Sequence, residues 1–561
     1  MLLCTVVHRI HAQDTTATRC AGQKIEHISI HSAAPTAALL RRIHTIGSIV
    51  GAIHTTTNPE LIRRFLLLQE GDDCNELRRS ESERILRAQP FIASATVDVL
   101  PDSFGTVMLD VHTTDEISLV LDGAIGHGHP PLRLIRVGDA NIGGEGVYMA
   151  GNWRSGGAFR DGYGGRIVDN QLLDHPYTAT AEANLNPLGS DWHGEVMHAY
   201  YTDIQRIAWR ARAGGSDDYV QFLNDINSSH ALRVTRSYFD IGGIFRLGPP
   251  GKLMLLGGSI SGDNERPATN QVLIAKDGFE PDPSRDLLGR YVPHRIARAN
   301  LLFGVRDIGF AQVRGFDALS ATQDLPIGLQ LGTMVGRSLS ILGSRDNDYF
   351  VASDLYVGAA NHHGGFRMQA ETEARHDNSL GQWDGMLADG RAIEYVKFTH
   401  TNTTLASIEF SGGWKQRLPF NLTLSDPVGG VRGYAASNIP GGQRLVIRLE
   451  DHQFIGKPFE FGDFGLGAFV DGGRLWAGDI PYGVNTPVYT SVGFSILAAV
   501  PAASARLWRI DFAYALRSTG GGRFEVRFGG NDKTTFFLTE PGDIQSIRER
   551  TVPSSVFRWP Q

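Results

Sequence analysis

Along most of this chain apolar and polar positions alternate with a period of two, and the stretch after Tyr434 shows it most sharply. Arg444, Val446, Arg448 and Glu450 share one face of a predicted strand, with Leu445, Ile447 and Leu449 on the other. Further on, Arg509 and Asp511 alternate with Trp508, Ile510, Phe512, Tyr514 and Leu516. Arg523, Glu525 and Arg527 alternate in the same way with Phe524, Val526 and Phe528. A strand that is charged on one side and branched or aromatic on the other separates unlike environments. In a soluble sandwich the apolar face would be the core. In a membrane barrel it meets lipid, and the charged face lines the lumen. Aromatic residues cluster on the apolar side and toward strand ends, as interfacial girdles require, which favours the barrel. About five strands follow Tyr434, and Glu450 and Asp471 fall in the first two.

Residues 21–114 read differently. Lys24 to Ser32 is strand-like, with Ile28 and Ile30 on one face. Asn58-Pro59 is a strong helix start, since Asn caps free N–H groups and Pro suits the first helical position. Leu61, Phe65 and Leu68 continue that helix and Gly71 closes it. A second helix runs from Glu76 to Gln89 and stops at Pro90. Two strands follow, carrying Val97 and Val99, then Val107, Leu109 and Val111. The order βααββ predicts a small α+β domain, with residues 33–53 as an insertion. Residues 115–537 then hold a barrel of about 16 strands, at about 26 residues per strand with its turns. Residues 538–561 form a carboxyl-terminal tail.

Composition narrows the class. The 66 glycines among 561 residues exceed the typical share of about 7%, which suits many turns and closely approaching strands. Hydrophobic residues make up 42%, and no run of about 18 apolar residues marks a transmembrane helix. A net charge of −7 gives no support for nucleic-acid binding. Residues 1–20 look like a leader segment: Leu2, Leu3, Val6 and Val7 are apolar and Ala12 could precede a cleavage point, although His8 and Arg9 interrupt the core. Export is the expectation, with the true start upstream of Met1. Cys4, Cys20 and Cys74 are too few for a disulfide framework. Unpaired thiols are expected, with a Cys20–Cys74 bridge the alternative in an oxidising compartment.

Catalytic chemistry is missing. Gly257-Gly258-Ser259-Ile260-Ser261 and Gly336-Arg337-Ser338-Leu339-Ser340 both lack the final glycine of a nucleophile elbow. No phosphate loop ends in Gly-Lys-Ser/Thr. His127-Gly128-His129 and His362-His363 have no partner Cys and no HExxH frame, so exposed loop histidines are expected rather than a metal site. Gly143 to Gly146 does not resemble a dinucleotide loop. An enzyme is not expected, and no cofactor is implied.

The sharpest constellation is Val431-Arg432-Gly433-Tyr434, followed by Glu450 and then Phe469-Val470-Asp471-Gly472-Gly473. A loop that enters a wide barrel needs directional bonds, and a planar guanidinium offers five donors to two carboxylates. Gly433 permits a backbone turn that a side chain would block. Val313-Arg314-Gly315-Phe316 repeats the tetrapeptide pattern, yet only the later copy has the acids and the strands behind it. The earlier copy reads as a plain strand or turn.

These motifs resemble a known superfamily. His54 to Leu67, Glu70-Gly71-Asp72 and Glu81 to Arg87 resemble a POTRA domain. Val137 to Gly146 looks like the first barrel strand of the BamA/TamA superfamily, and Val431 to Tyr434 looks like the signature of its sixth extracellular loop. The resemblance implies that Arg432 meets Glu450 and Asp471 in the lumen, with Gly433, Tyr434 and Gly473 shaping that lock. It implies an outer-membrane protein that helps other polypeptides insert into or cross that membrane. The partners implied are unfolded outer-membrane or secreted clients, captured by a periplasmic POTRA through strand addition, and the outer-membrane lipid. It also implies a weakly closed seam between the first and last strands. A single POTRA is fewer than BamA, TamA or two-partner translocators carry, and the chain does not end on an aromatic residue. A passive porin-like channel is the alternative, since it would share the alternation. After cell breakage the protein should sediment with the membranes; recovery in the soluble fraction would reject both membrane readings.

Overall fold

The computed structural model describes residues 19–35, 55–102, 105–125, 132–156, 159–225, 228–275, 278–435, 437–458, 461–518, 523–531 and 539–548. The leader up to residue 18, most of the insertion and His127 to His129 lie outside the described residues. The amino-terminal unit runs β1 (Ala21–Ala33), α1 (Pro59–Arg64), β2 (Asp73–Asn75), α2 (Glu76–Arg87), β3 (Ile92–Pro101) and β4 (Val107–Asp115). Its sheet has the order β2-β1-β4-β3, with β1 parallel to β4. The expected order is therefore present, with one short extra strand between the helices.

Local chemistry accounts for the helices. The Asn58 side chain accepts from Glu60 N at 3.0 Å, with Pro59 beside it, and the Asn75 side chain accepts from Arg78 N at 3.1 Å. The first helix stops at Arg64, well before Gly71. Phe65, Leu66 and Leu68 turn into the core instead, and Leu67 N donates to Ser82 Oγ at 2.8 Å. Pairing of Ala21 with Asn75 brings the flanking Cys20 and Cys74 together as a disulfide, with Cα atoms 4.9 Å apart. Strand pairing thus overrides the expectation of free thiols.

The barrel begins at once after β4. Six short strands come first: β5 (Leu119–Ile125), β6 (Leu132–Ile142), β7 (Val147–Arg154), β8 (Gly162–Asp169), β9 (Thr178–Leu185) and β10 (Ser190–His198). Long strands follow as β11 (Ile207–Asp225), β12 (Ser228–Leu247) and β13 (Leu253–Ala275), with a short side ribbon, β14 (Gly278–Pro281). Then come β15 (His294–Arg314), β16 (Thr322–Ser338), β17 (Asp348–Ala360), β18 (Gly364–Asp377), β19 (Gln382–Thr399) and β20 (Asn402–Trp414). Last are β21 (Gln443–Gly456), β22 (Asp463–Trp476), β23 (Tyr489–Ala499), β24 (Leu507–Ala515) and β25 (Phe524–Asn531). One helix, α3 (Gly542–Ile547), ends the described chain.

With β13 pairing directly to β15, 20 strands close the barrel. The expectation of 16 is corrected upward. The first six strands are only 7–11 residues long, and several turns between strands are tight, so each strand takes less chain than assumed. Val137 to Ile142 belongs to the second barrel strand, and Gly143 to Gly146 forms the turn after it. The outer face is apolar: Leu301, Ile241, Ile447 and Phe494 are all more than half exposed. The inner face is charged and buried, as at Arg298, Asp348, Arg391, Arg444 and Asp471. A closed sheet with apolar outside and charged inside is built to span a membrane, because closure leaves no unpaired edge in lipid.

Contacts on two sides tie the amino-terminal domain to the barrel end where β5 starts, here the proximal end. At the turn after β6, Asn58 N donates to Gly144 O at 3.0 Å and Asn141 Nδ2 to Thr57 Oγ1 at 2.9 Å. On the other side, Arg87 of α2 makes a two-pronged pair with Asp324 of β16, at 2.8 and 2.9 Å. The Arg84 guanidinium lies over the Phe310 ring, 4.2 Å from its centroid. Burial works against the Arg87 charge, but Asp324 and Glu83 outweigh it and hold its pKa above the ordinary value. Arg87→Ala should weaken this docking by about 1.5–3 kcal/mol, read as faster amide exchange in α2 with the barrel unchanged.

Candidate functional site: a lumen loop and its ion pairs

Residues 415–442 join β20 to β21 at the distal end, and they fold into the lumen instead of standing in solvent. Leu418, Phe420, Leu422, Leu424, Val431 and Tyr434 are buried in one cluster with Val446 and Leu475 of the wall. A tight turn delivers the tetrapeptide: the Asp426 carboxylate accepts from Val428 N and Gly429 N, and Gly430 N donates to Asp426 O. Wall residue Arg448 then holds the loop carbonyls of Val428 and Gly430 at 2.7 and 2.9 Å.

Arg432 is 2% exposed. Its Nε and Nη2 donate to the two oxygens of Asp471 at 2.7 and 2.8 Å. Its Nη1 lies 2.8 Å from Glu450 Oε2 and 3.7 Å from Asp511 Oδ2. Neither Arg432 Nη1 nor Glu450 Oε2 completes a hydrogen bond, so the Glu450 contact is an ion pair, and Asp471 provides the directional, bidentate bond. The guanidinium also stacks on Phe469, 3.5 Å from the ring centroid. Glu450 is shared in turn: its Oε1 is 2.9 Å from Arg509 Nη2 and 2.5 Å from His452 Nε2.

The glycines have steric reasons. Gly433 has φ +90°, a left-handed conformation, and a Cβ there would lie 3.2 Å from Ala515 N. A Cβ on Gly473 would lie 2.5 Å from Val431 Cγ2, so the bare backbone of β22 leaves room for the loop. Gly433 N donates to Glu525 Oε2 at 2.6 Å, and the Tyr434 hydroxyl donates to Thr490 O at 2.9 Å. Arg527 of the last strand adds a bond to Pro427 O at 3.1 Å.

The structure therefore brings together Arg432, Gly433, Tyr434, Glu450, Asp471 and Gly473. It adds residues that the sequence reading saw only as strand alternation: Arg448, Arg509, Asp511 and Glu525. Their charge and parity were visible, but their partners depend on which strands become neighbours. In sum the loop pairs ionically with Glu450 of β21 and Asp511 of β24, and hydrogen-bonds Asp471 of β22, Thr490 of β23 and Glu525 of β25. Every strand that follows the loop is attached to it. The earlier copy behaves otherwise: Arg314 ends β15, is exposed, and donates to the Ser320 carbonyl at 2.8 Å.

Among the described residues no group of three or more His, Cys, Asp or Glu is arranged to hold a metal. His362 and His363 are exposed at a proximal turn. Chemically, the arrangement positions a loop.

No protein-family model and no curated protein matches the chain. Solved structures similar to it include BamA from Haemophilus ducreyi lacking POTRA domains 1–3, 12% identical, with 91% of this chain and 85% of that chain covered and a TM-score of 0.36. CdiB from Acinetobacter baumannii is 9% identical, with 91% and 73% covered and a TM-score of 0.40. CdiB from Escherichia coli is 12% identical, with 94% and 92% covered and a TM-score of 0.42.

Arg432→Ala leaves the buried Asp471 carboxylate without its bidentate partner, while Glu450 keeps Arg509 and His452; it should cost about 3–5 kcal/mol, seen as a lower unfolding temperature of the detergent-solubilised barrel. In a double-mutant cycle, Arg432→Ala with Asp471→Ala should lose clearly less than the sum of the single changes, because the two groups share one bond pair. Gly473→Val should push Val431 off β22 and raise protease sensitivity within residues 415–442.

Proposed function

We propose that this chain is a BamA/TamA-type outer-membrane protein that helps other polypeptides insert into, or pass across, the outer membrane. The observation that carries this reading is the joint between the first and last barrel strands. Among the described residues β25 pairs with β5 over three positions, Phe528, Arg527 and Val526 opposite Gly123, Ala124 and Ile125. The neighbouring joint between β24 and β25 runs over eight. Over the described residues that ladder is short, and the lumen loop holds the last strand from inside through Gly433 and Glu525. A short ladder backed by a side-chain clamp can part and offer a strand edge without unfolding the barrel, and an open edge is a template for pairing with a client strand.

In this reading the amino-terminal unit is a POTRA that captures clients in the periplasm. Its element order and its β1–β4 parallel pair support that assignment, and the Cys20–Cys74 disulfide suits an oxidising compartment. The sheet edge for strand addition is β3. Side chains of α2 guard it: Arg79 Nη1 donates to Val97 O at 2.8 Å and Arg87 Nη1 to Ala95 O at 3.3 Å. A client strand replaces those two bonds with its own ladder. The folding of the client supplies the drive.

A passive channel is the competing reading, and the packed lumen weighs against it, since Arg432, Glu450 and Asp471 are each at most 2% exposed. Depletion of the protein followed by a proteomic count of outer-membrane and secreted proteins tests the proposal. Loss of a defined set of clients is expected. An unchanged proteome, together with steady solute-selective conductance of the purified barrel, would replace it with the channel.

A further inference from the structure

Beyond β25, residues 539–548 lie inside the lumen. Asp543 pairs with Arg444 of β21 through both guanidinium ends, one bond at 3.0 Å. Arg236 of β12 donates to Ser546 O at 3.2 Å. Arg548 lies 3.5 Å from Glu371 and 3.7 Å from Glu373 of β18, and also bonds Glu540 of its own segment. These three strands are far apart around the wall, so the short segment crosses the bore.

The same segment grips the lumen loop. Thr423 N donates to Asp543 Oδ2 at 3.4 Å, and Asp543 N donates to Asp426 Oδ2 at 3.2 Å. Ile544 and Ile547 are buried in the cluster that holds Leu422, Leu424, Val431 and Tyr434. Asp543 therefore joins three bodies at one carboxylate: wall, loop and tail.

We propose that residues 539–548 are a resident plug, which closes the lumen and clamps the loop to the wall, and which leaves when a polypeptide engages the barrel. This extends the translocation reading and rests on it for the displacing partner, while the closure itself does not. The hold is of a releasable kind. Across residues 539–548 it consists of side-chain ion pairs, a few single hydrogen bonds and two isoleucines, with no strand pairing to the wall among these residues, and α3 is six residues long with no side-chain cap. Breaking such contacts frees the segment without breaking the barrel ladder.

The test uses single-channel recording of the purified full-length barrel. Asp543→Ala combined with Ile544→Ala and Ile547→Ala should raise the open fraction by roughly tenfold, the shift a two-state equilibrium makes for about 1.4 kcal/mol. A chain truncated before residue 539 should conduct at least as well, and adding a synthetic peptide of residues 539–548 should close it again. The peptide with the three alanines should not. Heat-modifiable gel mobility shows whether each variant holds a folded barrel. Folded variants that conduct like the wild type, or a peptide that leaves the truncated barrel open, would overturn the plug. If the variants open but client delivery is unaltered, the plug stands and the translocation reading fails.

Discussion

One buried guanidinium governs the geometry of this barrel. Arg432 faces Asp471, Glu450 and Asp511 in a buried space, where an unpaired charge is far more costly than at a surface. That cost makes the position of the loop definite. The acids come from three strands, β21, β22 and β24, so the arginine can satisfy them only when those strands stand in register. Loop placement and strand register therefore stabilise each other. The two glycines matter for the same reason: each removes a side chain where loop and wall approach most closely.

The rest of the lumen repeats this on a larger scale. Arg298 with Asp348, Arg236 with Asp263, and Arg444 with Glu409 are buried pairs on the inner wall. In a wide, empty barrel such residues would be hydrated. Here the loop and the tail fill the bore, and pairing offsets the desolvation. The outer wall obeys the opposite rule, since lipid accepts apolar side chains and no unpaired backbone groups. Between these two demands a period-two strand is the simple solution. At the joint of β5 and β25, three backbone pairs are described, and the loop supplies part of the hold on β25.

Much of the site was legible in the amino-acid order. Arg444 to Glu450 announced a strand with a charged inner face, and burial follows that parity residue by residue. The Val431 to Tyr434 motif with Glu450 and Asp471 named the residues that the structure brings together. Strand number was not legible. From β7 to β10 the outward positions are often Ala or Gly, as at Gly151, Gly165, Ala181 and Gly194, so apolar contrast is faint there and boundaries blur. Cys20 and Cys74 were not legible as a pair either, because 54 residues separate them and only the β1–β2 pairing brings them together.

The sequence by itself determined what each segment could be: which residues alternate, where helices begin, and which arginine and acids carry charge into an apolar setting. These are local properties, set by backbone periodicity, capping and side-chain chemistry. Only the tertiary structure decided how many strands close the wall, that Glu525 of the final strand joins the loop, and that the tail returns to meet Arg444. Those outcomes depend on closure, which makes neighbours of residues hundreds of positions apart, and no local pattern encodes which distant carboxylate a buried arginine will meet.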